Sequence, residues 1–111
     1  MNQIFCDAIK NRNILEFTYK GHYRVVEPHA YGLSLRGNEM LRCFQVGGTS
    51  HSGKVPCWRP ILVSQITSLV VTEKHFEDVR DGYKKGDRGK SKIFSELQPP
   101  HNRMDSLIHH K

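Results

Sequence analysis

The residues best suited to chemistry in this chain are arginines, histidines and aromatics set among apolar, strand-like stretches. Arg42 stands between Met40 and Phe44, on the face those two share by period-two alternation. An arginine on an apolar face needs a partner, because an unpaired buried charge is expensive. Either a carboxylate such as Glu27 supplies it, or the face lines a cleft and an anion does. The planar guanidinium fork suits carboxylate and phosphate alike. His29 and Tyr31 follow Pro28 at the expected end of a strand, a place where loops carry function. The structural alternative has Tyr31 packed on the rim and His29 bonded to a backbone carbonyl. Trp58 and Arg59 both offer flat faces on which a base can stack, but a single tryptophan in a small domain equally serves as core.

The run GGTSHSG at 47–53 is rich in glycine and hydroxyls, so its backbone N–H groups could wrap a phosphate. It lacks the spacing of a nucleotide-binding P-loop, and a plain hairpin loop explains it as well. Ser50, His51 and Ser52 are chain neighbours rather than a nucleophile–base pair with an orienting third group, and no local signature joins Cys43 or Cys57 to His29 or His51. Catalysis is therefore not expected, a small Cys/Ser–His hydrolase being the minor alternative. Cys6, Cys43 and Cys57 contain no C-x-x-C, and free cysteines behave as small hydrophobes. No metal or other cofactor is expected. Residues 80–92 hold six Lys/Arg against two Asp, a net +4 within the chain's +6. Arg80, Lys84, Lys85 and Arg88 suit contact with nucleic acid or another polyanion, or else form a solvated basic loop.

The elements that must position these residues follow from periodicity. Ile4, Phe5, Ala8 and Ile9 fall on one side of a helix over 2–12, with Asn2 as N-cap. Over 14–20 the period changes to two: Leu15, Phe17 and Tyr19 alternate with polar residues, a half-buried strand. Gly21 makes the turn into a second strand, 23–27, which Pro28 limits to an end or edge position. A short segment at 33–35, strands at 39–46, 58–63 and 66–72, and the loop 47–53 complete the pattern. So many short antiparallel strands favour a helix followed by a small β-barrel, since parallel pairing needs long crossovers. Residues 1–79 form this unit, 80–98 a basic glycine-containing extension that packs back through Ile93, Phe94 and Leu97, and 99–111 a mobile tail.

The chain of 111 residues, 37% hydrophobic and 25% charged, has the size and composition of one globular domain. No apolar run approaches the roughly 20 residues a bilayer crossing needs, and the first residues lack the form of a secretion signal. A cytoplasmic location without membrane contact is expected.

The run from Ala8 to Phe76 resembles the WYL-domain family. AIKNRNILEFTYKG resembles the family's opening helix and first strand, and YRVVEPHAYG its second strand. GNEMLRCFQV sits at the naming tripeptide, of which only Leu41 is kept in Glu39-Met40-Leu41. ILVSQITSLVVTEKHF resembles the closing strand; Leu62 stands where the family has a basic residue, with Arg59 three residues earlier. The resemblance implies an SH3-like (Sm-like) β-barrel and a stand-alone module without the helix-turn-helix domain found in regulators of the family. It implies a non-catalytic binding role for a nucleotide or short nucleic acid, in a bacterial or phage-conflict setting. Its site residues would be Tyr19, Arg24, His29, Tyr31, Arg42 and Arg59. The alternative is an interaction module that docks on a protein partner or on a second copy through exposed strand edges.

Overall fold

The structure, a computed structural model, describes residues 1–83, 85, 86 and 90–98. Helix α1, Gln3–Asn11, starts at Asn2, whose Oδ1 accepts from Ile4 N at 2.9 Å. It ends where Arg12 turns left-handed at φ 58°. Phe5, Ala8 and Ile9 are buried, whereas Ile4 is exposed. Spacings of three and four residues keep the first three on one stripe, and Ile4 falls at the margin of that arc.

Strand β1, Asn13–Tyr19, buries Leu15, Phe17 and Tyr19 as the alternation requires. Lys20 and Gly21, both at positive φ, make a two-residue hairpin into β2, His22–Ser34. Here the expectation fails: Pro28 does not end the strand. β2 runs on for six more residues and is the central strand of the sheet. Pro28 is tolerated because of where it falls. One edge of β2 pairs with β1 from His22 to Val26 and then with strand β6, Lys90–Glu96, from Ala30 to Ser34. Pro28 lies in the gap between these partners, beside a register shift in its pairing with β3, so its missing N–H disrupts little.

Strand β3, Glu39–Gly48, lies along the other edge of β2, and β4, Cys57–Leu62, pairs with β3. A single 3-10 turn over Val63–Gln65 leads into β5, Ile66–His75, which pairs with β1. The fold is mainly β with one N-terminal helix, and all pairs are antiparallel. The order is β4-β3-β2-β1-β5, with β6 added on β2; the end strands β4 and β5 are not paired to each other, so the sheet is open. Strand β6 was not expected as a strand. Its sequence, KSKIFSE, reads as basic rather than half-buried, and the lower half of β2 selects it by offering an unfilled edge. No helix among the described residues is long and apolar enough to cross a membrane.

The β2–β3–β4 ladder has two faces. Leu41, Cys43 and Gln45 are buried on one, opposite Ile61, Arg59 and Cys57 of β4 and joined by Arg24 and Val26 of β2. Arg42, Phe44, Trp58 and Glu27 share the other, which the segment 76–83 crosses.

Candidate functional site

At the β2 start, two arginines meet on the Gln45 face. Arg24 is only 4% exposed. Its Nη1 donates to Gln45 Oε1 at 3.2 Å, its Nη2 to Tyr19 O at 3.4 Å, and its guanidinium carbon sits 5.2 Å from the Tyr19 ring centre. Its Nε is buried with no hydrogen-bond partner among the described residues. Arg59 reaches the same acceptor, donating from Nε to Gln45 Oε1 at 3.1 Å. Among the described residues no carboxylate contacts either arginine.

This arrangement is costly. Desolvating a charge costs several kcal/mol, and an unsatisfied donor adds about 1–3 kcal/mol. A ring face and two neutral acceptors offset that in part. Burial, and after it the charge of Arg59, depress the Arg24 pKa, although a guanidinium keeps its proton. A bound anion would relieve both strains at once.

The loop 49–56 stands against this pair. Gly48, at φ +82°, must be glycine: a Cβ there would lie 2.0 Å from Tyr23 O. The turn it permits lets Thr49 N donate to Tyr23 O at 2.9 Å. The Gln45 amide ties the loop down from inside, donating to Gly47 O at 2.9 Å and Thr49 O at 3.0 Å. Arg59 Nη2 then donates to Ser50 Oγ at 2.8 Å, to Ser52 Oγ at 3.4 Å and to the Lys54 carbonyl. Arg59 thus spends its outer donors on neutral oxygens that an anion can displace. Next along β2, His22 Nδ1 lies 2.8 Å from Thr49 Oγ1, and its ring meets that of His51 edge-to-face at 4.6 Å. Tyr19 is anchored, its hydroxyl accepting from Leu62 N at 3.1 Å.

Of the residues expected to bind a ligand, Tyr19, Arg24 and Arg59 come together here. His29 and Tyr31 do not join them. His29 is fully buried: its Nδ1 bonds Glu27 O at 2.8 Å and its Nε2 accepts from Arg80 N at 3.1 Å. Its ring stacks on Phe76 at 5.4 Å and meets Trp58 at 4.8 Å and Tyr83 at 5.2 Å. Burial lowers the His29 pKa against the pull of the Glu27 carbonyl. Tyr31 is buried too; its hydroxyl donates to Glu39 and accepts from Asn2 N, which fastens the start of α1. Burial and then the Glu39 bond push its pKa up to about 12.

Arg42 is half-buried on the opposite face, as its alternation with Met40 and Phe44 requires. Its suggested partner Glu27 belongs instead to Arg80, which grips it through Nε–Oε1 at 2.7 Å and Nη2–Oε2 at 2.9 Å, with its guanidinium over Phe44. Arg80 is therefore held in an ion pair within the segment 76–83. Trp58 Nε1 donates to Asp81 O at 2.8 Å, pinning the same segment. Lys85 is exposed; Lys84 and Arg88 lie outside the described residues, as does the tail 99–111.

Gln45, His22 and the loop hydroxyls were not singled out as ligand contacts. A signal for Gln45 was present, since it falls two residues after Cys43 on the buried alternation of β3. Among the described residues no group of three His, Cys, Asp or Glu is placed to hold a metal ion. In comparisons with family models, curated proteins and solved structures, nothing matches the chain.

Proposed function

We propose that the chain is a non-catalytic, cytoplasmic binding module that takes an anionic ligand, a nucleotide or short nucleic acid, at the Arg24–Arg59 pair. One observation carries this reading: among the described residues, Arg24 is a buried guanidinium whose Nε has no hydrogen-bond partner, it lies beside a second guanidinium, and no carboxylate touches either. A phosphate group supplies the missing charge and takes the donors that now face Ser50, Ser52 and the Lys54 carbonyl. Tyr19 lines the same place and offers a ring for cation or base stacking. The helix followed by short antiparallel strands is in keeping with the WYL-like, SH3-like (Sm-like) barrel and the bacterial regulatory setting which that resemblance implies. Basic residues of the sequence run 80–92, Lys85 among them, would offer a longer polyanion a separate contact.

The test is a thermal-shift series of wild type and Arg24→Met against inorganic phosphate, mono-, di- and cyclic nucleotides, short RNA and ssDNA. A ligand that binds the folded state raises Tm by mass action. The expected result is a rise in wild type that disappears in Arg24→Met. No rise with any anion, or an equal rise in both proteins, overturns the reading. A polynucleotide would also lose affinity steeply with salt, one nucleotide only shallowly.

A second reading has its own observation. Among the described residues β5 pairs with a neighbour on one edge only, and it carries Val70 and Val71, 52% and 44% exposed. An open edge of this kind invites pairing with a second copy. A mass that rises with protein concentration and falls back in Val71→Lys, with no response to nucleotides, would replace the ligand reading with an interaction module.

A further inference from the structure

We infer that anion capture at the Arg24–Arg59 pair draws a proton onto His22, so that binding is coupled to pH. This rests on the anion-site reading above and extends it to how the site is regulated.

His22 and Arg24 occupy alternate positions of β2 and share a face. A continuous network joins them. Gln45 Oε1 accepts from both arginines, Gln45 Nε2 donates to Thr49 O at 3.0 Å, and Thr49 Oγ1 lies 2.8 Å from His22 Nδ1. His51, from the loop that Arg59 holds, completes it with its ring 4.6 Å from that of His22. The charged neighbours among the described residues are basic: Arg24 on β2, Arg59 on β4, His51 and Lys54 in the loop, and Lys20 in the hairpin, with its Nζ 5.5 Å from the Tyr19 ring centre; the other titratable groups around Arg24 are the Tyr19 hydroxyl and the Cys43 and Cys57 thiols. Among the described residues no carboxylate contacts either histidine.

A proton on His22 would add a further positive charge beside the Arg24 guanidinium. Burial, His51 and Arg24, in that order, hold its pKa below the ordinary histidine value. A bound anion offsets the positive charge of the guanidiniums and favours the imidazolium. The proton comes from solvent, and no covalent bond changes. Linkage fixes the direction: the complex holds more protons than the free protein, so affinity rises as pH falls through the bound-state pKa and levels off below the free-state pKa.

The experiment is titration calorimetry of wild type with sulfate, whose charge is constant over the interval of about pH 5 to 8 in which histidine titrates. It is run in two buffers of different ionisation enthalpy and repeated with His22→Gln/His51→Gln. The expected result is an affinity that climbs by up to about tenfold per pH unit for each proton taken up. The heat in wild type should depend on the buffer, and the double variant should lose both the slope and the buffer dependence. Sulfate binding with a flat pH profile and equal heats in both buffers overturns the proton coupling and leaves the anion site standing. A wild-type slope kept by the double variant also overturns it. No sulfate binding at any pH overturns the anion site itself, and the coupling with it.

Discussion

Both faces of the β2–β3–β4 ladder hold arginines, and Arg80 on one and Arg24 on the other are treated differently. On the Phe44 face, Arg80 meets Glu27 through two parallel bonds, and the neighbouring His29 has both ring nitrogens bonded to backbone. Charge and hydrogen bonds close within the chain. On the Gln45 face, Arg24 is as buried as Glu27, each 4% exposed, but shares one neutral acceptor with Arg59, and its Nε has no hydrogen-bond partner among the described residues. The first face is built to hold the segment 76–83 in place. The second keeps unspent donors, which is what a ligand site requires and a purely structural one avoids. Burial alone therefore does not separate function from architecture here; the identity of the partner does.

The sharpest way to break the comparison is to remove each arginine in turn. Arg24→Met should lower anion affinity by about 100-fold, the scale for truncating one partner of a buried charged contact. The ligand-free protein should be neutral or up to about 2 kcal/mol more stable, because an uncompensated charge leaves an apolar site. Urea unfolding with and without ligand reads both effects. Arg80→Met should act in the opposite sense, leaving anion affinity unchanged and destabilising the fold by about 2 kcal/mol. It strands the buried Glu27 carboxylate, although a pair whose arginine is 45% exposed is partly screened. If both variants lost stability equally, the contrast between the faces would fail.

A pH series sharpens the Phe44 face. Burial lowers the folded-state pKa of His29, so below the unfolded value of about 6.5 the unfolded chain binds more protons than the native one. Stability is complete above that pH and falls as the pH drops towards the folded pKa, by up to about 1.4 kcal/mol per unit. His29→Gln should flatten this dependence in denaturation curves between about pH 6.5 and 5. Tyr31→Phe tests a contact at the far end of the Gln45 face, where Tyr31 lies opposite Leu41. It removes the acceptor for Asn2 N and the donor to Glu39, and should cost about 1 kcal/mol, read as a small drop in the urea midpoint.

Much of the architecture is legible along the chain because alternation is a local property. Leu15, Phe17 and Tyr19 announce a half-buried strand, Asn2 caps the helix it was expected to cap, and the turn at Lys20-Gly21 follows from two positive φ angles. Pro28 misleads for a local reason as well: the rule against proline in a central strand assumes a neighbour on each edge, and here the edge partner changes from β1 to β6 around it. The basic segment misleads in turn. Arg80 reads as a free cation until the fold brings Glu27, 53 residues away in sequence, against it.

The sequence by itself determined the helix and the antiparallel strands, since each depends on neighbours within a few positions; in β3 the face that reads as apolar is Met40, Arg42 and Phe44, whereas the fold buries Leu41, Cys43 and Gln45. Only the tertiary structure decided which arginine is paired and which is not. Arg24, Gln45 and Arg59 belong to three strands and become one site through cross-strand register. That register comes from non-local backbone pairing, which no stretch of the chain encodes alone.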